Sequence, residues 1–385
     1  MKILYVSNIM RRMNEGNLVL FDTLLSQGHE VHVAANFNEY IKNHSNDQLI
    51  MKHIDFIRNP LDLRNITALK QLCRLMKEES YDLVHCNTPV GGLLGRIAGR
   101  LTGTKPVIYM AHGFHFYKGA PLLHHLIYKS VEKMLAKWTD GLITINHEDF
   151  AAAKQFRLRN NSDKVFYVPG VGVDTRKYAS VQISKEDVKQ SLGIPANAPL
   201  VIMIGDLIKR KNYESGIRAI AQAANKQMHC MICGKGPLEE ELKSLAQQLG
   251  IADRVHFLGF RTDMPELLKA SDMFLFPTFQ EGLPRALMEA MSAGLPVIVS
   301  HIRGNTDLVE PSQGGFLAHP TDIGQMASAL DALCESAELR EKMSRINLEK
   351  IKDFDIQVIK DKMLHIYLKE MQSHYDSFSV QERLL

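Results

Sequence analysis

The sequence is poor in tryptophan and cysteine and has no long hydrophobic run. It contains one Trp and five Cys among 385 residues. An odd number of scattered cysteines predicts free thiols and not a disulfide framework. No apolar stretch reaches the ~18–20 residues that a membrane-spanning helix needs, and the run at residues 3–6 is too short for a signal peptide. We therefore expect a protein of the cytosol.

Two of the cysteines, Cys230 and Cys233, form a Cys-x-x-Cys motif. The motif lies inside the apolar run at residues 228–233, and no second pair stands at zinc-finger spacing. Redox and zinc sites use this spacing in other surroundings. Here the motif predicts a buried strand.

The chain as a whole has no large net charge. There are 46 Lys and Arg against 43 Asp and Glu, but residues 1–178 alone hold 23 basic and 16 acidic residues. This basic first half favours an anionic membrane surface or a phosphorylated ligand as a partner. Its basic residues are spread among acids, so a nucleic-acid partner is not expected.

Length and hydrophobic pattern indicate two α/β domains. A chain of 385 residues exceeds one ordinary core and fits two domains with a cleft. Apolar runs of strand length alternate with helix-length segments, which is typical of doubly wound parallel sheets. We predict strands at residues 2–7, 30–34, 83–86, 106–110, 141–145 and 165–168, and then at 199–205, 227–233, 254–259, 273–277 and 296–300.

A turn-rich stretch at residues 169–174 interrupts this alternation and marks a boundary and a candidate hinge. The predicted Rossmann-like domains are residues 1–175 and 176–353. Residues 354–385 follow as a helix and tail, which we expect to dock on the body and to cross back to the first domain. The apolar positions of this helix are Ile356, Ile359, Met363, Ile366 and Tyr367.

The most informative loop follows the predicted strand at 273–277, because ligands bind beyond the carboxyl ends of strands in such sheets. It contains Glu281 and Gly282, and Glu289 follows with seven residues in between. A glycine lets the backbone approach a ligand, and a helix start offers free N–H groups to an anion. The carboxylates alone are also compatible with a capping acid and a surface acid.

This element resembles the retaining glycosyltransferases of family 4, which have the GT-B fold. The Glu-x7-Glu motif stands in the segment EGLPRALMEAMSAGLPVI at 281–298, and the resemblance covers nearly the whole chain. It implies two Rossmann-like domains facing a cleft, the first on the acceptor side and the second binding the nucleotide-sugar. Glu281 would hold donor-sugar hydroxyls and Glu289 the ribose, with Gly282 and Leu283 beside the donor.

A second element resembles the diphosphate loop of the family. The usual loop has an Arg directly after Gly and a Lys five residues later; here Gly205 and Lys211 match, but Asp206 stands in the place of the Arg. Arg210 or Lys209 would then supply the missing cation. A solvated basic turn is the alternative.

Histidine 112 follows the predicted strand at 106–110 and matches a family residue that faces the donor sugar. The resemblance implies that His112 positions the sugar and stabilises the transition state, in preference to acting as a general base. A purely structural role stays open for His112 and, more strongly, for His115.

Four further sites resemble family positions more weakly. Gly16 matches the glycine-rich first loop, and Arg261 matches a residue near the nucleotide. The loop at 87–92 would contact the acceptor, although its glycines could equally serve packing. The Gly-x-Gly at 234–236 would line the nucleotide side, but a lone motif of this kind is weak.

Metal ligands are not expected. The pair Asp353 and Asp355 resembles the metal-binding Asp-x-Asp of another glycosyltransferase fold, but it lies beside the last helix, where capping explains it. The predicted site therefore uses cations and backbone amides in place of a metal, and no cofactor. The family is thought to let the acceptor hydroxyl attack on the face that the diphosphate leaves, with its proton passing to a diphosphate oxygen.

The resemblance extends to bacterial transferases that build exopolysaccharide or capsule repeat units, through the segment HGFHFYKGAP at 112–121. It implies a UDP-sugar as donor and a saccharide or polyprenyl-diphosphate-linked saccharide as acceptor. The basic and apolar stretch at 117–138 would rest on the cytoplasmic face of the membrane, or pack within the domain with a wet basic face.

Three other functions stay open at this point. A UDP-sugar 2-epimerase has the same two-domain fold, and a non-catalytic nucleotide-sugar-binding subunit would explain Asp206. The Glu-x7-Glu context argues against the epimerase, and Glu281, Glu289, Lys211 and His112 argue against a non-catalytic subunit. A nicotinamide dehydrogenase is the weakest, because no full Gly-x-Gly-x-x-Gly follows the first strand.

Overall fold

The computed structural model describes residues 1–382 and divides into two compact units. Unit 1 consists of Met1–Gly172 and the segment from Ile356 onward, and unit 2 is Val173–Asp355. The divisions therefore fall three residues before and two residues after the boundaries expected from the sequence. No helix among the described residues is long and apolar enough to cross a membrane.

Unit 1 contains a seven-stranded sheet in which every neighbouring pair is parallel, in the order β3-β2-β1-β4-β5-β6-β7. All the strands predicted for this half are present. The short edge strand β3 was missed because two of its four residues are exposed and its apolar run is only two residues long. The strands are β1 Lys2–Ile9, β2 Glu30–Asn36, β3 Ile50–His53, β4 Leu83–Asn87, β5 Val107–Ala111, β6 Gly141–Thr144 and β7 Val165–Tyr167.

Helices cover this sheet and connect its strands. They are α1 Glu15–Ser26, α2 Asn65–Glu79, α3 Pro89–Thr102, α4 Leu122–Ala136 and α5 His147–Ala153, with a 3-10 turn at Arg159–Asn161. Crossovers of this kind bury both faces of a parallel sheet, which explains why strands such as β4 and β5 are apolar and buried throughout.

Unit 2 contains a six-stranded parallel sheet in the order β10-β9-β8-β11-β12-β13. The prediction of a doubly wound α/β fold is confirmed, and only β13 was missed. Its strands are β8 Leu200–Ile204, β9 His229–Cys233, β10 Val255–Gly259, β11 Met273–Phe276, β12 Val297–Ser300 and β13 Gly315–Ala318.

Nine helices and three 3-10 turns complete unit 2. The helices are α6 Thr175–Ala179, α7 Lys185–Ser191, α8 Tyr213–Gln222, α9 Glu239–Gln248, α10 Met264–Ala270, α11 Arg285–Ser292, α12 Asn305–Leu308, α13 Ile323–Glu335 and α14 Ala337–Lys350. The turns are Lys209–Lys211, Ala252–Arg254 and Ile351–Phe354.

The Cys-x-x-Cys motif lies in β9, as predicted, and both thiols are buried and free. Burial raises the pKa of Cys233 to about 12 and the pKa of Cys230 still further. A thiol that stays protonated is a poor nucleophile and a poor metal ligand. The motif therefore belongs to the hydrophobic core.

The last helix, α15 Ile356–Glu382, packs on α1 within unit 1. Its five predicted apolar positions are all buried, whereas Phe354 belongs to the preceding 3-10 turn and not to the helix. Glu370 of α15 is also buried and accepts a hydrogen bond from Lys164 Nζ at 2.9 Å. This ion pair, with the apolar face, holds α15 against unit 1.

In each sheet the strand order reverses once, between β1 and β4 in unit 1 and between β8 and β11 in unit 2. At such a reversal, the loops after the two adjacent strands leave in opposite directions and open a crevice at the carboxyl edge. The two crevices are the first places to look for a ligand site.

A buried histidine underlies the crevice of unit 1. His85 lies in β4, and its ring stacks on Tyr5 with 4.9 Å between ring centroids. Neither ring nitrogen has a hydrogen-bond partner among the described residues. Burial, with the neighbouring His112 as a smaller cause, lowers the pKa of His85 to about 3. The ring is therefore neutral at physiological pH.

We expect acid to destabilise the protein through His85. The unfolded chain takes up a proton near the ordinary pKa of about 6.5 and the folded chain does not, so stability is lost as the pH falls from about 6.5 towards 3, by about 2 kcal/mol at pH 5. In His85→Leu, thermal unfolding should show a smaller fall in Tm between pH 7 and pH 5 than in the wild type. The exposed His365→Leu should keep the wild-type fall, and equal falls in all three proteins would contradict this account.

Candidate active site

The loops after β8 and β11 bring a carboxylate and two cations together in unit 2. Glu281 follows β11, and its Oε1 accepts hydrogen bonds from Lys211 Nζ at 2.8 Å and from Arg210 Nη1 at 2.9 Å. Both cations lie in the 3-10 turn that follows β8. Three residues predicted from the sequence therefore meet at the strand-order reversal.

Two further residues hold Glu281, and sequence reasoning missed both. Thr278 Oγ1 donates to Glu281 Oε1 at 3.0 Å, so three donors converge on one oxygen. Arg303 is buried and donates through Nε to the Glu281 carbonyl oxygen at 3.2 Å. Thr278 and Arg303 each follow a strand, β11 and β12, and this shared position was the only signal that could have identified them.

Asn212 positions the two cations. Its backbone is left-handed, with φ of +54°, a conformation that Asn tolerates better than most residues. Its buried Nδ2 donates at 2.8 Å to the carbonyl oxygens of both Pro277 and Pro320. Asn212 thereby ties the turn after β8 to the end of β11, and it was missed because only tertiary contacts reveal this role.

A glycine allows the loop after β12 to lie directly on the Glu281 loop. Gly304 has φ of +82°, and a Cβ at this position would lie 2.4 Å from the Gly282 carbonyl oxygen. No other residue fits such an approach without a shift of backbone. The backbone of Gly304 thus packs directly against the predicted residues Gly282 and Leu283.

Two other predicted residues of unit 2, Gly205 and Glu289, have partners of their own. Gly205 directly follows β8, and its carbonyl oxygen accepts a hydrogen bond from the Tyr213 hydroxyl at 2.7 Å. Glu289 lies in α11 and is mostly buried, and its Oε1 accepts from Arg285 Nε at 2.8 Å. Glu289 is therefore paired with a cation on its own helix.

Arg261 lies outside the Glu281 cluster. It follows β10, which is two strands away from β8, and its Nε donates to Asp263 Oδ1 at 2.8 Å. This hydrogen-bonded pair raises the pKa of Arg261 and lowers the pKa of Asp263. Gly234 of the Gly-x-Gly motif serves packing, since a Cβ there would lie 1.9 Å from the Gly205 carbonyl oxygen.

In unit 1, His112 directly follows β5 and is half-buried. Burial lowers the pKa of His112 to about 4, so the ring is neutral at pH 7 and offers one donor and one acceptor. The loop behind it is fixed, because the buried Asp149 Oδ2 accepts from the Phe114 backbone N–H at 3.0 Å. A neutral ring of this kind can both donate a hydrogen bond to a hydroxyl group and accept one from it.

His115, two residues later, has a different environment. Its exposed ring stacks on Tyr128 of α4 with 4.9 Å between centroids. This contact favours the structural role that the sequence left open for His115.

The glycines predicted on the acceptor side serve packing. Gly16 lies in the first turn of α1 and not in a loop, and a Cβ there would lie 2.1 Å from the Val171 carbonyl oxygen. Gly92, expected in a loop at 87–92, lies in α3, and a Cβ there would lie 2.2 Å from the Tyr109 ring. Gly16 therefore stands just after the first loop, because α1 begins at Glu15 under the cap of Asn14.

The Asp-x-Asp pair has a local structural role as well. Asp355 Oδ2 accepts hydrogen bonds from the Thr175 hydroxyl at 2.5 Å and from the Thr175 N–H at 3.2 Å. Among the described side chains, which end at residue 372, one group has the spacing of a metal site: Glu30, His32 and Glu79. It lies at the amino edge of the unit 1 sheet, where Lys2 and Lys52 pair with Glu79 at 2.9 and 2.7 Å.

Comparison with known proteins agrees with this geometry. The family model of glycosyl transferases group 1 matches residues 184–349, and that of glycosyl transferase 4-like proteins matches residues 2–146. A putative glycosyltransferase, EpsD of Bacillus subtilis, is 33% identical over 356 residues, which are 89% of this chain and 90% of EpsD. The chain belongs to the family 4 glycosyltransferases. The resemblance that was based on Glu281 and Glu289 is confirmed, and the protein is a transferase enzyme.

Other relatives of this family 4 glycosyltransferase support the same assignment. An Escherichia coli protein named UDP-Gal:alpha-D-GlcNAc-diphosphoundecaprenol alpha-1,3-galactosyltransferase is 34% identical, covering 81% of each chain. Among solved structures, Anabaena HepE in complex with UDP-glucose aligns with a TM-score of 0.77 at 21% identity, over 96% of this chain and all of HepE. WaaG aligns with a TM-score of 0.74 at 19% identity, over 94% of this chain and 98% of WaaG. These neighbours confirm the GT-B fold.

We expect Arg210, and not Lys209, to replace the missing diphosphate Arg. Both side chains are exposed, but of the two only Arg210 donates to Glu281 in the described structure. A charge-assisted hydrogen bond is worth about 1.5–3 kcal/mol, so Arg210→Ala should raise the KM for the donor about tenfold or more. Steady-state kinetics of nucleotide release would measure it. Lys209→Ala is the matched control, and an equal rise in both variants would contradict the assignment.

Proposed function

We propose that this glycosyltransferase moves a hexosyl or N-acetylhexosaminyl group, with retention, from a UDP-sugar to a saccharide carried on polyprenyl diphosphate. The product would serve bacterial cell-surface polysaccharide synthesis at the cytoplasmic face of the membrane. The observation that carries the proposal is the convergence of Lys211 and Arg210 on Glu281 at the strand-order reversal of unit 2.

The names of relatives support the choice of donor and acceptor. The E. coli relative is named for UDP-Gal and a diphosphoundecaprenol acceptor. A Campylobacter jejuni relative, 21% identical over 95% of this chain, is named for a diphospho-undecaprenol acceptor as well. HepE has the same fold and holds UDP or UDP-glucose in its crystal structures. A UDP-sugar and a lipid-linked saccharide are therefore the substrates that we propose.

The cation cluster suits a departing diphosphate. Two cations share one carboxylate oxygen, so the local charge balance favours an added anion. In the proposed reaction the acceptor hydroxyl bonds to the anomeric carbon while the bond to the diphosphate oxygen breaks, and the hydroxyl proton passes to a diphosphate oxygen. Lys211 and Arg210 stabilise the charge that grows on the leaving group.

The carboxylates and His112 hold the sugar and the nucleotide in this proposal. Glu281 accepts hydrogen bonds from donor-sugar hydroxyls, and Glu289 binds the ribose. His112 is neutral at pH 7, so it stabilises the transition state through hydrogen bonds and does not act as a general acid. In this proposal Gly282 and Leu283, which lie just before α11, stand beside the donor.

The rival functions fit the findings less well. Relatives that cover most of the chain are named as transferases, which supports neither a 2-epimerase nor a non-catalytic subunit. We infer that Arg210, which donates to Glu281, takes the place of the Arg that Asp206 replaces.

We expect Glu281→Gln to lower kcat for sugar transfer about 100-fold or more. The amide keeps the size of the side chain but loses the charge that binds sugar hydroxyls and balances Lys211 and Arg210. Release of UDP from UDP-sugars should be measured with and without a polyprenyl-diphosphate-linked saccharide. The exposed Glu240→Gln on α9 is the control.

Two outcomes of this experiment would contradict the proposal. Wild-type turnover in Glu281→Gln would remove Glu281 from the site. Conversion of the UDP-sugar by the wild type without any acceptor would establish an epimerase instead.

We also propose that transfer needs no divalent metal, because Lys211 and Arg210 supply the positive charge that a metal would otherwise bring to the diphosphate. Transfer rates should stay within about twofold of each other in EDTA and in added Mg²⁺ or Mn²⁺. A loss of activity in EDTA that the metal restores would contradict the proposal.

A further inference from the structure

The first half of α4 exposes several large apolar side chains. Leu122 is 84% exposed and Leu126 68% exposed, and only Leu135 and Ala136 of this helix are buried. A surface helix normally turns its apolar residues toward a core. The exposed apolar residues of α4 are Leu122, Leu123, Leu126, Ile127, Tyr128 and Met134.

The other half of α4 is fixed to the sheet of unit 1. Arg96 of α3 is 1% exposed, and its Nη1 donates to Glu132 of α4 at 2.7 Å. The Arg96 guanidinium also lies over the Tyr109 ring, 3.8 Å from its centroid. The first turns of α4 are therefore exposed although its second half is held firmly by Arg96.

The charges on α4 are almost all positive. The helix carries Lys129 and Lys133, and Lys137 caps its end, while its one acid, Glu132, is bound to Arg96. A groove of about 450 Å³ runs along this half of the helix and contains three cations and no acid. Its lining residues are Ser130, Lys133, Met134, Lys137, Gln155 and Arg157.

An apolar segment beside a basic groove matches one kind of partner. Interfacial helices bury leucines at the boundary between headgroups and acyl chains and place basic residues at anionic headgroups. A second copy of this chain seated on the same surface would bring the lysines of two α4 helices together. An anionic bilayer thus matches both the exposed leucines and the basic groove, whereas a symmetric dimer matches only the leucines.

We propose that α4 docks the enzyme on an anionic lipid bilayer. Leu122, Leu123 and Leu126 enter the acyl boundary, and the groove formed by Lys133, Lys137 and Arg157 binds lipid phosphates. The inference rests on the proposed function, because a lipid-linked acceptor gives the enzyme a reason to meet the membrane, and it names the surface that makes the contact.

Co-sedimentation of the full chain with lipid vesicles tests the proposal. The wild type should bind phosphatidylglycerol vesicles at least about tenfold more tightly than phosphatidylcholine vesicles, and less tightly as salt is raised. The triple variant L122S/L123S/L126S should lose at least about tenfold in affinity for the anionic vesicles. No binding by the wild type, or equal binding to both lipids, would overturn the proposal.

Three other exposed leucines of unit 1 provide a matched control. Leu61, Leu63 and Leu101 are 87%, 79% and 63% exposed, and L61S/L63S/L101S makes the same three chemical changes away from α4. This control should bind vesicles like the wild type, and a loss equal to that of the α4 variant would overturn the assignment to α4. Circular dichroism of both variants checks that the fold is retained.

Two further measurements separate this inference from the proposed function. K133S/K137S/R157S should lose the preference for anionic lipid, and a preference that persists would remove the groove from the proposal. UDP release with a detergent-dispersed acceptor should be the same in the α4 variant and the wild type. If that assay is silent for the wild type while vesicle binding depends on α4, the proposed function fails and the membrane surface stands.

Discussion

The reversal of strand order at the carboxyl edge of the unit 2 sheet is the constraint on which its site depends. The chain leaves β8 toward one side of the sheet and leaves β11 toward the other, so adjacent strands carry diverging loops. Glu281 is about 70 residues away from Lys211 and Arg210 in the chain, and it meets them because the strand order places their loops side by side. Asn212 and Gly304 then remove the freedom that the loops would otherwise have.

Glu281 also reduces the electrostatic repulsion between Lys211 and Arg210. Two cations in a partly desolvated crevice repel each other, and an anion between them offsets that cost. Because Oε1 of Glu281 accepts from both cations and from Thr278, the cations already stand in place before any ligand arrives. A site of this kind needs little reorganisation when negative charge develops beside it.

Much of the fold could be predicted from the sequence, because apolar runs buried on both faces announce parallel strands. The edge strands β3 and β13 were missed, since no residue of β3 and only two of the four residues of β13 are fully buried, and their apolar runs are short. Glu281 and Lys211 were found through spacing in a specific context. Arg303 was not, because its partner lies on another loop, and Thr278 was not, because a contact within one irregular loop leaves no periodic signal. Periodicity also does not distinguish the exposed turns of α4 from a packed helix.

The position of α15 has a consequence for how the protein is made. This helix covers α1 and brings Tyr367 against His85, yet it leaves the ribosome only after all of unit 2. During synthesis, one face of the unit 1 core therefore stays uncovered while the roughly 180 residues of unit 2 emerge and fold. Unit 1 begins first and is completed last, so a nascent chain that stalls within unit 2 leaves an unfinished surface that chaperones can bind.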